Sequence, residues 1–166
     1  MPTDRPSAGG PPVGGPLRPQ AEPGEAGTDG PGSVFVDANV FLRYLTDDVP
    51  EQADRVEALL DAAERGGVRL VTSVLVVAEV VWTLGSSYDR TKEQVREAVL
   101  VLCHTPGLDV EDADALVQAA EWHAEKNVDF ADAYHAAWAL ARGLPDVRTF
   151  NLRHFRRFDG LDPRAP

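Results

Sequence analysis

The first apolar run, SVFV at residues 33–36, is β-branched and aromatic, follows Gly32 and ends on an aspartate. This is the pattern of a short strand with Asp37 at its carboxyl end. Asn39 stands in a capping position for the amphipathic segment VFLRYLTDD. The period then lengthens to that of a helix across EQADRVEALLDAAERGG, where Val56, Leu59, Leu60 and Ala63 share one face. Pro50 suits its first turn, and Gly66 and Gly67 mark its end. VRLVTS is a second strand, Ser73 caps a helix VLVVAEVVWTL, and TKEQVREAVLVLCHT forms another helix after a polar turn. GLDV fits a short strand, DADALVQAAEWHAEK and FADAYHAAWALARG two further helices, and DVRTF a last strand before the basic, aromatic segment NLRHFRRFDG. Strands alternating with helices predict an α/β domain with a mostly parallel central sheet of four or five short strands flanked by helices. In such folds the site lies just beyond the carboxyl ends of the strands.

Residues 1–32 break this pattern. They hold eight prolines and eight glycines, no aromatic residue and no apolar period, so they cannot bury enough surface to offset the entropy of ordering a chain. The reading is a disordered tail at 1–32 and one folded domain at 33–166; linker, contact arm and translated upstream stretch all fit the tail's composition.

A net charge of −11 and a pI near 4.7 argue against a protein that coats nucleic acid through clustered Lys and Arg. They leave room for a metal-dependent nuclease, because a bound cation reverses the field locally. Cys103 is the only cysteine, so no intrachain disulfide can form, and a reducing compartment is the simpler setting. Within VLVLC it fits a small buried side chain better than a catalytic thiol. No stretch approaches the roughly 18 apolar residues that span a bilayer, and the first residues lack the apolar core of a signal peptide. The expectation is a cytoplasmic protein without a membrane segment.

The carboxylates carry the candidate chemistry. Asp37 should project at the carboxyl edge of the sheet, as a turn or capping residue or as a ligand. Glu79 is the only ionisable group between Val74 and Leu84, in a helix apolar nearly all round. Such a helix reads as buried, and a carboxylate there needs an ion-pair partner such as Arg43 or Arg148, or a cation. Asp129 and Asp132 lie three apart at the start of FADAYHAAWALA; capping explains Asp129, whereas Asp132 lies a turn inside and asks for another role. Asn151 and Thr149 close the last strand and come near Asp37 if the two strands are neighbours.

Three carboxylates drawn together repel unless a cation offsets them, and hard oxygen ligands select Mg²⁺, with Mn²⁺ as substitute. His104, His123, His135 and His154 show no zinc-ligand spacing. No activated serine or cysteine nucleophile and no Walker-type phosphate loop is visible. Hydrolysis by metal-activated water is the chemistry that remains.

FVDANVFLRYLTDD, TSVLVVAEVVWTL, DFADAYHAAWALARG and VRTFNLRHFRRFDG, in this order and at these intervals, resemble a PIN domain, specifically a VapC-type toxin ribonuclease of a toxin–antitoxin pair. The resemblance spans about residues 33–160. It implies a PIN-like three-layer fold and Asp37, Glu79 and Asp132 as metal-binding acids, with Asn39 and Thr149 as polar helpers. It further implies single-stranded RNA as substrate, a homodimer, and a cognate antitoxin that blocks the site. Many relatives carry a fourth Asp where this chain has Asn151; an amide oxygen brings no charge, so a second ion is put in doubt, and Asp129 can partly substitute through a water. Arg43 could steer phosphate to the site. Arg153, His154, Arg156 and Arg157, interleaved with Phe155 and Phe158, form either a local RNA platform or a solvated helix with two aromatic anchors. The competing function is a PIN-fold RNA- or protein-binding module weakened at Asn151. Phosphoryl transfer through an aspartyl intermediate is disfavoured, because Asp37-Ala38-Asn39-Val40-Phe41 departs from the DxDx[TV] pattern of haloacid-dehalogenase-like enzymes.

Overall fold

Residues 32–166 are described in the computed structural model of the chain, and the rest of the expected tail lies outside them. Strand β1 (Ser33–Phe35) leads into α1 (Ala38–Thr46) and, after a turn, α2 (Pro50–Glu64). Strand β2 (Arg69–Thr72) is followed by α3 (Val74–Ser87) and α4 (Lys92–His104), and β3 (Leu108–Val110) by α5 (Ala113–Glu125) and α6 (Phe130–Ala141). The chain closes through β4 (Asp146–Arg148), α7 (Leu152–Phe155) and β5 (Asp162–Arg164).

Strands β1, β2 and β3 form one parallel sheet in that order, with Ser33 opposite Arg69 and Leu70 opposite Leu108. Parallel neighbours require a crossover between them, and helices supply it in each case. The carboxyl ends of β1 and β2 are stitched together: Val36 N donates to Val71 O at 2.9 Å, and the hydroxyl of buried Thr72 donates to Val36 O at 2.9 Å. Beneath lies one apolar core in which Phe41, Leu70, Val77, Val80, Val99 and Leu116 are fully buried. Helix α3 packs against α1, α4 and α6.

Capping chemistry sets the start of α3 as the sequence predicts, Ser73 Oγ accepting from Val76 N at 3.4 Å, and at α4 Thr91 and Gln94 form a capping box that the sequence reading did not name. Gly66, at φ +75°, ends α2. The start of α1 differs from expectation: the capping position is Asp37, and Asn39 lies exposed within the first turn.

Five strands form among the described residues, but they divide into two sheets. β4 pairs in parallel with β5, Val147 opposite Pro163, so the last predicted strand is not hydrogen-bonded to β1. Its partner escaped the sequence reading because DPR carries two charges and a proline and shows no apolar alternation. That segment takes up the hydrogen bonds of the β4 region, Asp162 N donating to Pro145 O at 2.7 Å and Thr149 N to Arg164 O at 3.0 Å.

Gly107 is where the α2 end and the β3 start meet. Its φ is +77°, and a Cβ would stand 2.5 Å from the Ala63 carbonyl, while its own carbonyl accepts from Leu70 N at 3.0 Å. Left-handed strain and overpacking each cost about 1–3 kcal/mol. Gly107→Ala should therefore lower the thermal midpoint by roughly 10 °C or more, read by circular dichroism; a shift within a degree or two would contradict this packing.

Candidate active site

Asp37 ends the first strand region and occupies the capping position of α1 with extended backbone, φ −89° and ψ 163°. Its carboxylate makes no capping hydrogen bond and enters no ion pair among the described residues. It is exposed and unspent, so neither turn nor cap chemistry accounts for it. Asp129 behaves oppositely: its Oδ1 accepts from Ala131 N at 2.9 Å, which is the capping role expected of it.

Asp132, in the first turn of α6, is the most constrained of the acids. Its side chain is 20% exposed, and its Oδ2 lies 2.6 Å from Asn151 Nδ2 and 2.7 Å from His154 Nδ1. Both nitrogens donate to this one oxygen. A flipped Asn151 would set two oxygens 2.6 Å apart, and an unprotonated Nδ1 would face the carboxylate lone pairs. With Nδ1–H assigned, the 3.1 Å approach between Asn151 Nδ2 and His154 Nδ1 is a contact of two donors on a shared acceptor. Asn151 is itself placed by Thr149, whose Oγ1 accepts from Asn151 N at 2.9 Å. The closing turn thus organises Asp132, and it does so from β4 and α7 instead of from a strand beside β1. His154 was missed as a partner of Asp132, because a contact across 22 residues leaves no mark on local spacing.

Glu79 corrects a premise of the sequence reading. Helix α3 buries Val76, Val77, Val80, Val81 and Leu84, but Glu79 is exposed on a stripe with Leu75 and Trp82, which are 69% and 50% exposed. The helix is apolar all round because its outer face is also apolar, so no desolvation cost compels Glu79 to find a partner. No described cation forms an ion pair with it. Arg43 is committed elsewhere, to Asp48 at 2.5 Å and to Gln52 at 2.9 Å, and Asp48 also accepts from Tyr88 Oη at 2.8 Å. The guanidinium beside it holds the Asp48 carboxyl below the usual range. This group braces α1, α2 and the end of α3.

The basic closing segment resolves in favour of anchoring. Phe155 and Phe158 are 6% and 2% exposed, packed edge-on to one another, with Phe158 against Trp122. Arg157 donates to Lys126 O at 2.7 Å at the end of α5. Exposed aromatic rings lie elsewhere, at Phe35, Trp82, Trp138 and Phe150. Sequence reasoning also missed Glu111, whose Oε2 accepts from Val74 N at 3.2 Å at the start of α3. His123 is structural: it is half-buried, its Nδ1 donates to Val128 O at 2.7 Å, and burial holds it below the usual imidazole range.

As placed, no three His, Cys, Asp or Glu side chains among the described residues stand close enough to hold an ion. Asp37, Glu79 and Asp132 sit on three helices of which the middle one packs against both others. Their donors are carboxylate oxygens not neutralised by lysine or arginine, the chemistry that a hard divalent cation takes. The PIN domain family model matches residues 34–161. The chain belongs to the PIN domain family, whose members are generally nucleases and typically use divalent metal ions. No curated protein matches the chain. No described helix is long and apolar enough to cross a membrane.

Two outcomes follow from this geometry. Burial pushes the Cys103 thiol up to about 11, so at pH 8 iodoacetamide should alkylate it on the order of a hundredfold more slowly than free cysteine, with the rate climbing towards pH 11; fast labelling at pH 8 would contradict it. Asn151→Asp would set a second carboxylate 2.6 Å from Asp132, and like charges at that range repel. The variant should melt several degrees below wild type in chelator and recover on adding Mn²⁺; equal midpoints in chelator would refute the contact.

Proposed function

We propose that this chain is a Mg²⁺-dependent endoribonuclease, with Mn²⁺ as substitute, that hydrolyses RNA phosphodiester bonds as the toxin of a toxin–antitoxin pair. Asp37, Glu79 and Asp132 are its ion-binding acids. The observation that carries the reading is the Asp132 carboxylate, oriented by two donors on one oxygen while Oδ1 has no described partner, in a chain of a nuclease family. Asp37, unpaired at the end of β1, is the second support.

A divalent ion, when bound, supplies an acidified water and positive charge for the phosphoryl oxygens. The chain's own contribution is orientation. Asn151 and His154 fix which Asp132 oxygen faces the site, and Thr149 fixes Asn151. Asn39, exposed two residues after Asp37, offers an amide to substrate. Asp129 keeps one oxygen beyond its capping bond and can reach the ion through a water. Arg43 stays a brace in this account. A homodimer and an antitoxin that covers the site complete the proposal, both resting on likeness to the toxin branch of the family.

Purified protein should cleave unpaired RNA in Mg²⁺ and lose cleavage in chelator. Asp37→Asn and Asp132→Asn should each lower the rate at least about a hundredfold, since each removes a charged ligand of the ion. Calorimetric titration with Mn²⁺ should give one tight site, as Asn151 brings no fourth charge. Cleavage that survives both substitutions would defeat the enzyme reading, and RNA binding without any cleavage would favour the binding module.

A further inference from the structure

Beside Asp132 lies a cleft of about 410 Å³ that the chemistry above leaves unused, lined by Asp132, His135, Trp138, Val147, Arg148 and Thr149. Its size is that of sites taking small molecules or single groups, roughly 300–1,000 Å³. It joins three features. Trp138, 37% exposed, follows Asp132 by six residues along α6. Arg148, at the end of β4, is exposed and forms no ion pair among the described residues. Asp132 closes one side.

Trp138 is braced from outside the cleft. The Arg142 guanidinium lies 4.2 Å from the centre of its ring, and Arg142 Nη2 donates to Asp112 Oδ2 at 3.1 Å. Asp112 in turn accepts from Tyr134 Oη at 3.0 Å. An indole held in this way has little rotamer freedom left to lose when something stacks on it. The guanidinium over the ring also strengthens its hold through cation–π attraction.

An indole surface, an uncommitted guanidinium and an adjoining carboxylate of the proposed ion site are together what a nucleotide requires: a face for the base, a cation for its phosphate, and the reacting phosphodiester next to the acid. We propose that this cleft binds one unpaired nucleotide of an RNA strand next to the bond that is cut, its base on Trp138 and its phosphate on Arg148. The proposal rests on the nuclease reading for its position beside the scissile bond. It gives a physical cause for the single-stranded substrate that the family resemblance implies, because a base stacked within a duplex cannot offer its face to an indole. It also reconciles RNA recognition with a chain of net charge −11, since stacking and one local guanidinium replace a broad basic surface.

The test is fluorescence anisotropy of a labelled, non-self-complementary oligoribonucleotide with the full chain, divalent ions being chelated so that the strand stays whole. Stacking is worth about 1–3 kcal/mol per base, so Trp138→Ala should weaken binding by about 5- to 150-fold, while Trp138→Phe stays close to wild type. Arg148→Gln, which removes an exposed side chain that the fold does not use, should lower the slope of log affinity against log salt by about one. A blunt duplex should compete poorly. Binding by Trp138→Ala within twofold of wild type, an unchanged salt slope in Arg148→Gln, equal competition by duplex, or no binding by wild type would each overturn the proposal. RNA cleavage with binding indifferent to Trp138 would remove the cleft and leave the nuclease; Trp138-dependent binding without cleavage would do the reverse.

Discussion

Parallel pairing of β1, β2 and β3 constrains everything else in this chain. Neighbouring strands that run the same way cannot be joined by a tight turn, so each return crosses through helices, and the helices after β1 and β2 both begin at one edge of the sheet. Thr72 and Val36 lock that edge from beneath through two hydrogen bonds. Asp37, leaving β1, is therefore delivered to the edge at the start of α1, and Ser73 starts α3 there too. The closing turn adds what the sheet does not: by pairing β4 with β5 it sets Thr149, Asn151 and His154 against the first turn of α6.

The electrostatic character of the site follows from what is absent around its acids. Arg43, Arg65, Arg69, Arg142 and Arg164 are spent on Asp48, Asp61, Asp109, Asp112 and Asp162, and among the described residues no lysine or arginine, Arg148 included, forms an ion pair with Asp37, Glu79 or Asp132. Asp132 receives two donors on a single oxygen, a pattern that orients its carboxylate and leaves Oδ1 without a described partner. Acids kept oriented and uncompensated suit a hard cation.

Much of this was legible in the sequence where short-range chemistry decides. Ser73, Asp129 and Gly66 each act at their own helix end, within reach of their own backbone. Asp129 caps α6 as its position indicates, whereas Asp132 makes no cap and meets Asn151 and His154. What periodicity cannot carry is the side of the wall on which an apolar residue stands. Glu79 reads as buried because Leu75 and Trp82 are apolar, yet they form an outer face with it. Phe155 and Phe158 fit a platform or anchors equally in the sequence, and burial decides for anchors, while Trp138, within an alanine-rich helix, is among the exposed rings. The β4–β5 pair and the His154–Asp132 contact depend on how the chain returns to itself, and three residues of DPR hold no pattern that foretells it.

The central claim is that Asp37, Glu79 and Asp132 serve one ion, with Asp132 set in place by Asn151 and His154. Anomalous scattering from crystals grown with Mn²⁺ tests it most directly. The account predicts a single strong peak about 2 Å from carboxylate oxygens of Asp37 and Asp132, on the Oδ1 side of Asp132, with Glu79 turned towards it. A peak elsewhere, or full Mn²⁺ exposure with the three acids still apart, would contradict it.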